Sequence, residues 1–408
     1  MIKFDFNTYV KDFISEDQIK KYQMITPQIK EYLNTNDMAG WYHLDKLFNK
    51  EILNDINQTA TYIRDNCDVF LVLGIGGSYL GAASGIEALN QYYYNNSMSP
   101  QIYFVGHNLS SDYYHDLINN IKEKSIIINV ISKSGSTLET KLAYQLIMDL
   151  MRSKYSEQEL KKRVIVTTDE ETGALRTEVN EQGYKSFVLP RNIGGRYSVF
   201  TPVGLLPMAV SKIDIEKLYI GSKEANDNLE TQIKYAVIRK LLYDQGKLVE
   251  AYVVYEPKLY SFTEWLKQLY GESLGKKDQG ILPISFINSR DLHSLGQFIQ
   301  QGNKILFETV INIKKSNHDI KIDQYDKSLN DINNIASKAT SIAHFNGNVL
   351  NNIIDVDALN EETLGYLFQF FMTSCAISGY LEDVNPFDQE GVEEYKRIMR
   401  ELLVNNMN

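Results

Sequence analysis

A chain of 408 residues, 43% hydrophobic and 23% charged, has ample material for buried cores and about the length of two domains. Its formal net charge of −10 argues against non-specific nucleic-acid binding, which needs a basic footprint, so an anionic ligand must be held by a local site. The two cysteines, Cys67 and Cys375, lie in separate apolar contexts without metal-ligand spacing, which speaks against a disulfide framework or a zinc cluster and for a reducing, cytoplasmic setting. Along the first stretch of chain, Lys3, Asp5, Lys11, Asp12 and Glu16 break up any apolar segment, so no secretory leader is expected. No later apolar run approaches the length of a membrane span.

From residue 69 onward, β-branched runs at 69–75, 102–105, 126–131, 164–168 and 187–189 are bounded by turn-forming residues. They read as buried parallel strands, because a sheet covered on both faces loses the polar alternation of a half-exposed one. Helical spacing of apolar residues at 111–122 and 138–151, with a short polar helix at 157–162, makes this an open α/β sheet. Two turns in it carry chemistry. Gly74-Ile75-Gly76-Gly77-Ser78-Tyr79-Leu80-Gly81 joins the first strand to a small-residue helix at 82–89, where glycines permit close backbone approach and the helix start favours an anion. A dinucleotide is disfavoured, since Gly76-Gly77-Ser78 departs from the Gly-x-Gly-x-x-Gly pattern and the strand at 102–105 lacks the acidic residue. A tight turn without ligand stays open beside the phosphate or sugar contact. Ser132-Lys133-Ser134-Gly135-Ser136-Thr137-Leu138-Glu139-Thr140 follows the 126–131 strand, and its hydroxyls and N–H groups at a helix start suit a phosphate dianion better than helix capping alone.

Next comes Asn192-Ile193-Gly194-Gly195-Arg196-Tyr197-Ser198, where a glycine pair frees Arg196 to reach a cleft and stabilise charge developing on oxygen. A surface ion pair would also explain that arginine. A second α/β series follows residue 213, with strands at 251–255, 281–287 and 305–313 and helices at 223–243, 261–269 and 330–343. The boundary falls near 192–207. Glu272, between Gly271 and Ser273 in what reads as a loop after the 261–269 helix, suits general-base work, although a solvated glutamate is the plainer reading. His293, one of six histidines, follows the 281–287 strand end, where open α/β sheets place their ligands. Residues 386–408 read as a docked tail ending in a helix at 392–403, with Asp388-Gln389-Glu390-Gly391-Val392-Glu393-Glu394-Tyr395-Lys396 at its start.

These six motifs, in this order from about residue 69 to 396, resemble the phosphoglucose isomerase family in its shorter bacterial form. Gly194-Gly195-Arg196-Tyr197-Ser198 and Gly391-Val392-Glu393-Glu394-Tyr395-Lys396 carry most of the resemblance. It implies two sugar-isomerase (SIS) domains of doubly wound, three-layer α/β type, at 61–200 and 201–385, with a helical N-terminal arm at 1–60 packed on the second domain and a tail at 386–408. It further implies that Glu272 moves a proton between C1 and C2 of a hexose 6-phosphate by way of a cis-enediolate, with Arg196 beside the enediolate and His293 and Lys396 opening the sugar ring. The phosphate and cleft residues implied are Gly77, Ser78, Ser132, Lys133 through its backbone, Ser134, Thr137, Thr140, Gln268 and Gln389. No metal or other cofactor is expected, and the partner is a second copy of the chain that lends His293 across a homodimer interface. The pathway implied is glycolysis and gluconeogenesis. Two other readings remain at this point, a sugar-phosphate sensor built on SIS domains and an isomerase of broader substrate range.

The chemistry fits those residue types. The α-proton of an aldose is very weakly acidic, so a positioned carboxylate and charge stabilisation on the neighbouring oxygen are both needed, each contributing on the order of a hundredfold or more.

Overall fold

The structure is a computed structural model that describes residues 1–133, 135 and 137–405. Its strands are Ile2–Asp5 (β1), Val69–Leu73 (β2), Gln101–Val105 (β3), Ile126–Ile131 (β4), Val164–Thr168 (β5), Lys185–Val188 (β6), Val249–Val254 (β7), Leu282–Ile287 (β8), Leu306–Lys315 (β9), Lys321–Ile322 (β10), Lys327–Ser328 (β11) and Asn351–Ala358 (β12). One sheet runs in the order β3-β2-β4-β5-β6 and is parallel throughout. The other runs β1-β12-β9-β7-β8, parallel except for β1, and β10 with β11 forms a small hairpin apart from both. Each sheet is covered on both faces, which is the three-layer α/β arrangement expected.

The two faces of each strand serve different cores, as the period of two requires. In the first sheet Val69, Leu71, Ile128 and Val130 pack outward against the helices Ser111–Ile121 and Leu138–Lys154. Phe70, Val72, Ile127 and Ile165 point inward to a core that also takes Tyr252, Val254, Phe307 and Ile354 of the second sheet. The two sheets therefore share one apolar interior. Through that interior runs Glu361–Leu381, buried continuously from Thr363 to Gly379 and apolar on all sides, as a core helix must be. No helix among the described residues is long and apolar enough to cross a membrane.

The structure corrects several expectations. The N-terminal arm is not purely helical, because Ile2–Asp5 forms an antiparallel edge strand on β12. The helix expected at 223–243 is two helices, Ile215–Asp227 and Leu229–Asp244, interrupted at Asn228, whose side chain donates to Tyr366 Oη at 2.9 Å. The helix expected at 261–269 runs from Tyr260 to Leu274, so Glu272 lies in a last helical turn and not in a loop. Glycine costs a helix about 1 kcal/mol. Burial of Leu269, Tyr270, Ser273 and Leu274 around Gly271 outweighs that cost.

Candidate active site

Arg196 stands at the centre of a cluster that joins both sheets. It lies in the single 3₁₀ turn Gly195–Tyr197, is 2% exposed, and uses every side of its guanidinium. Nε donates to Ser273 Oγ at 2.8 Å, and Nη1 donates to Glu272 Oε2 at 3.2 Å and to Gln389 Oε1 at 2.8 Å. Nη2 donates to the carbonyls of Pro386 and Asp388, each at 2.7 Å. A buried cation with one carboxylate and four neutral acceptors is held firmly in place without being neutralised by a second anion. Its own carbonyl accepts from Trp265 Nε1 at 3.2 Å, which fixes the backbone as well.

Glu272 is held from two directions. Gln268, one helical turn earlier, donates from Nε2 to Glu272 Oε1 at 3.2 Å, while Arg196 takes the other oxygen. The carboxylate remains 32% exposed and opens on a cleft of about 1,090 Å³ that Gln389, Gly391 and Lys276 also line. Gly77 makes this convergence possible. A Cβ on it would fall 2.1 Å from the Gly195 carbonyl carbon, and Gly76, at φ +59°, passes so close to Gln268 that a Cβ would sit 2.7 Å from Nε2. Ser78 follows, half-buried.

The second glycine-and-serine turn follows β4, the strand beside β2, so both turns lie on the same carboxyl-end edge of the first sheet. Ser132 is buried and its Oγ accepts from Gly135 N at 3.1 Å. Lys133 donates from Nζ to the Arg191 carbonyl at 2.8 Å, which ties the turn to residues 191–193; burial lowers the pKa of this ammonium. Thr137 is the N-cap of Leu138–Lys154 but makes no side-chain cap hydrogen bond, and Thr140 is buried one turn further on. Ser132 and Thr140 also wall a separate cleft of about 460 Å³ between this helix and Ala174–Gln182. Ser134 lies outside the described residues.

Two expected residues stand apart. His293 is exposed on Leu292–Gln301, where Leu295 and Phe298 are exposed too. Its neighbour Asp291 accepts from Arg290 Nε at 2.8 Å and from Ile287 N at 2.7 Å, and the Arg290 guanidinium holds its carboxyl below the usual range. Lys396 lies on Glu393–Asn405 and donates to Glu393 Oε1 at 2.7 Å. Sequence reasoning missed Ser273, although it sits beside the candidate base. It also missed the carbonyls of Pro386 and Asp388. The signal for those was Phe387, whose ring packs 5.4 Å from Tyr197 and 6.5 Å from Trp41, anchoring the tail beside Arg196.

The model of the family described as phosphoglucose isomerase matches residues 48–407. This chain belongs to that family. A relative from Bacillus cereus (strain B4264) called glucose-6-phosphate isomerase is 45% identical over 391 residues, covering 90% of this chain and 87% of that protein. Among solved structures, a hypothetical protein of Thermus thermophilus superposes with a TM-score of 0.87 at 24% identity, over 99% of this chain and all of that one. A glucose-6-phosphate isomerase of Chlamydia trachomatis gives a TM-score of 0.81 at 18% identity, over 97% of this chain and 87% of that one. Both share their overall fold with this phosphoglucose isomerase family member.

Proposed function

We propose that this chain interconverts glucose 6-phosphate and fructose 6-phosphate, and that it works in the cytoplasm, in glycolysis and gluconeogenesis. The observation that carries the reading is the Arg196–Glu272 pair, a carboxylate open to a cleft with a buried cation 3.2 Å away. Glu272 takes the proton from C2 of the open-chain aldose, the enediolate oxygen lies against Arg196, the hydroxyl proton on O2 passes to O1, and Glu272 returns its proton to C1. Glu272 can serve both carbons without leaving its place, because the two are adjacent. The phosphate dianion sits at the residues 132–140 turn, against the hydroxyls and the N–H groups of the helix start, with Ser78 and Gly77 nearby. Gln268 orients the base and Gln389 the arginine.

Ring opening precedes that step, and it needs a proton moved from the anomeric hydroxyl and one delivered to the ring oxygen. We assign it to Lys396 and to His293 of the partner subunit, within a symmetric homodimer. What supports this is the place of His293, on an exposed helix that also presents Leu295 and Phe298. The domain limits at residues 60, 200 and 385 belong to the same reading. It is tested by a coupled assay with glucose 6-phosphate, then by mixing and reassociating His293→Ala and Glu272→Gln chains, each nearly inactive alone. Random two-fold pairing restores about a quarter of the sites, since one site of each heterodimer keeps both groups. No turnover by the unaltered chain would sink the isomerase; no recovery in a verified heterodimer would sink the shared site.

A further inference from the structure

The tail that receives Arg196 is itself held from the far side. Two acceptors of the guanidinium are main-chain carbonyls, of Pro386 and Asp388, so the guanidinium plane is only as fixed as the bend that carries them. Lys276 holds that bend. Its Nζ donates to the Asp388 carbonyl at 3.0 Å, to the Asn385 carbonyl and to the Asp388 carboxylate. Asn385 Nδ2 closes the bend by donating to the second carboxylate oxygen of Asp388 at 2.7 Å. The Asp388 carbonyl is thus shared between Lys276 and Arg196. The Lys276 side chain is 17% exposed, so its charge acts with limited screening.

We propose that Lys276 is a positioning residue of the isomerase reaction, which holds Arg196 at the developing enediolate through the 385–388 bend. The proposal rests on the function proposed above. Lys276 touches none of the reacting atoms in this scheme and acts through the arginine. The geometry calls for an ammonium specifically: three acceptors converge on one nitrogen, which three rotatable N–H donors satisfy and a planar guanidinium does not. Loosening Arg196 weakens charge stabilisation in the transition state more than it weakens substrate binding, so kcat and not KM carries the effect.

The experiment uses the full-length Lys276→Cys variant before and after alkylation with 2-bromoethylamine. The thiolate sulfur displaces bromide, and the new S–C bond restores a side chain of lysine length ending in an ammonium. The native thiols Cys67 and Cys375 are buried, and the unaltered protein treated in parallel serves as control. Before alkylation kcat falls about 10- to 100-fold while KM and Tm change little. The Ki of a 5-phosphoaldonate, whose C1 carboxylate carries the charge of the enediolate, rises by a similar factor. Alkylation recovers most of both, and Lys276→Arg recovers neither. An unchanged kcat, a fall in Tm with kcat intact, an unmoved Ki, or a kcat loss that alkylation leaves in place overturns the proposal. Absence of isomerase turnover in the unaltered protein would overturn the underlying function instead, and the proposal with it.

Discussion

The two sheets present the same kind of edge and equip it oppositely. At the carboxyl ends of β2 and β4, neither Ile75, before the turn Gly76–Ser78, nor Thr137, before Leu138–Lys154, makes a side-chain cap hydrogen bond among the described residues. At the corresponding ends of β7 and β9 the chain fills those positions with its own acids. Glu256 accepts from Lys258 N at 3.2 Å. Asp319 accepts from Asn330 N at 3.1 Å, and Ser328 Oγ accepts from Asp331 N at 3.0 Å in a capping box at the start of Leu329–Asn346. The Ser328 hydroxyl and the Asn330 amide hold the Asp319 carboxyl below its ordinary range. A helix start can stabilise its own chain or receive a foreign anion, and the difference lies in whether those donors are already spent. The second sheet lends the first a carboxylate instead, Glu272, the base of the proposed reaction.

That division can be broken from either side. The largest effect is expected where the loan is withdrawn: Glu272→Gln keeps the shape but cannot accept the C2 proton, so kcat falls by about 100-fold or more in the coupled assay with KM nearly unchanged. Making the first edge resemble the second comes next. Thr137→Asp places a carboxylate where the phosphate would sit, and like charges about 4 Å apart repel by about 4 kcal/mol at intermediate screening, so KM rises by at least about tenfold. Thr and Asp are both good caps, so the melting temperature holds or rises. Making the second edge resemble the first does less. Ser328→Ala removes a cap worth about 1 kcal/mol, lowering Tm by about 2 °C without altering kcat or KM, as scanning calorimetry and the assay would register. Last, incubation with a chelator leaves the rate unchanged if side chains alone move the proton; loss of activity restored by a divalent ion would require a different chemistry.

Much of this was readable in the residues, and the parts that were not have physical causes. β4 and β5 are visible because buried parallel strands are unbroken β-branched runs. β12 was missed, since Asn351, Asn352, Asp355 and Asp357 interrupt its apolar positions. Glu361–Leu381 was missed for the opposite reason, being apolar all round and so without a stripe to detect. β1 is four residues long and exists only because β12 offers it an edge. At the site, Arg196, Glu272, Gln268, Gln389 and Gly77 lie close together, although their motifs are far apart in the sequence. The main-chain acceptors at Pro386 and Asp388 could not be read, because any residue has a carbonyl and only the tertiary fold aims it.

The pairing of β1 with β12 has a consequence for how the molecule is made. Strands β2 to β6 fall within residues 69–188 and can assemble as soon as that stretch has been synthesised. Ile2 pairs with Val356, so the second sheet cannot close until nearly the whole chain has left the ribosome. The earliest residues wait longest for their partner. During that wait the first sheet can already be folded, while the part of its inner core that the second sheet supplies, Tyr252, Val254, Phe307 and Ile354, is still being made. Slow elongation late in the chain prolongs this wait, and chaperone dependence should concentrate there.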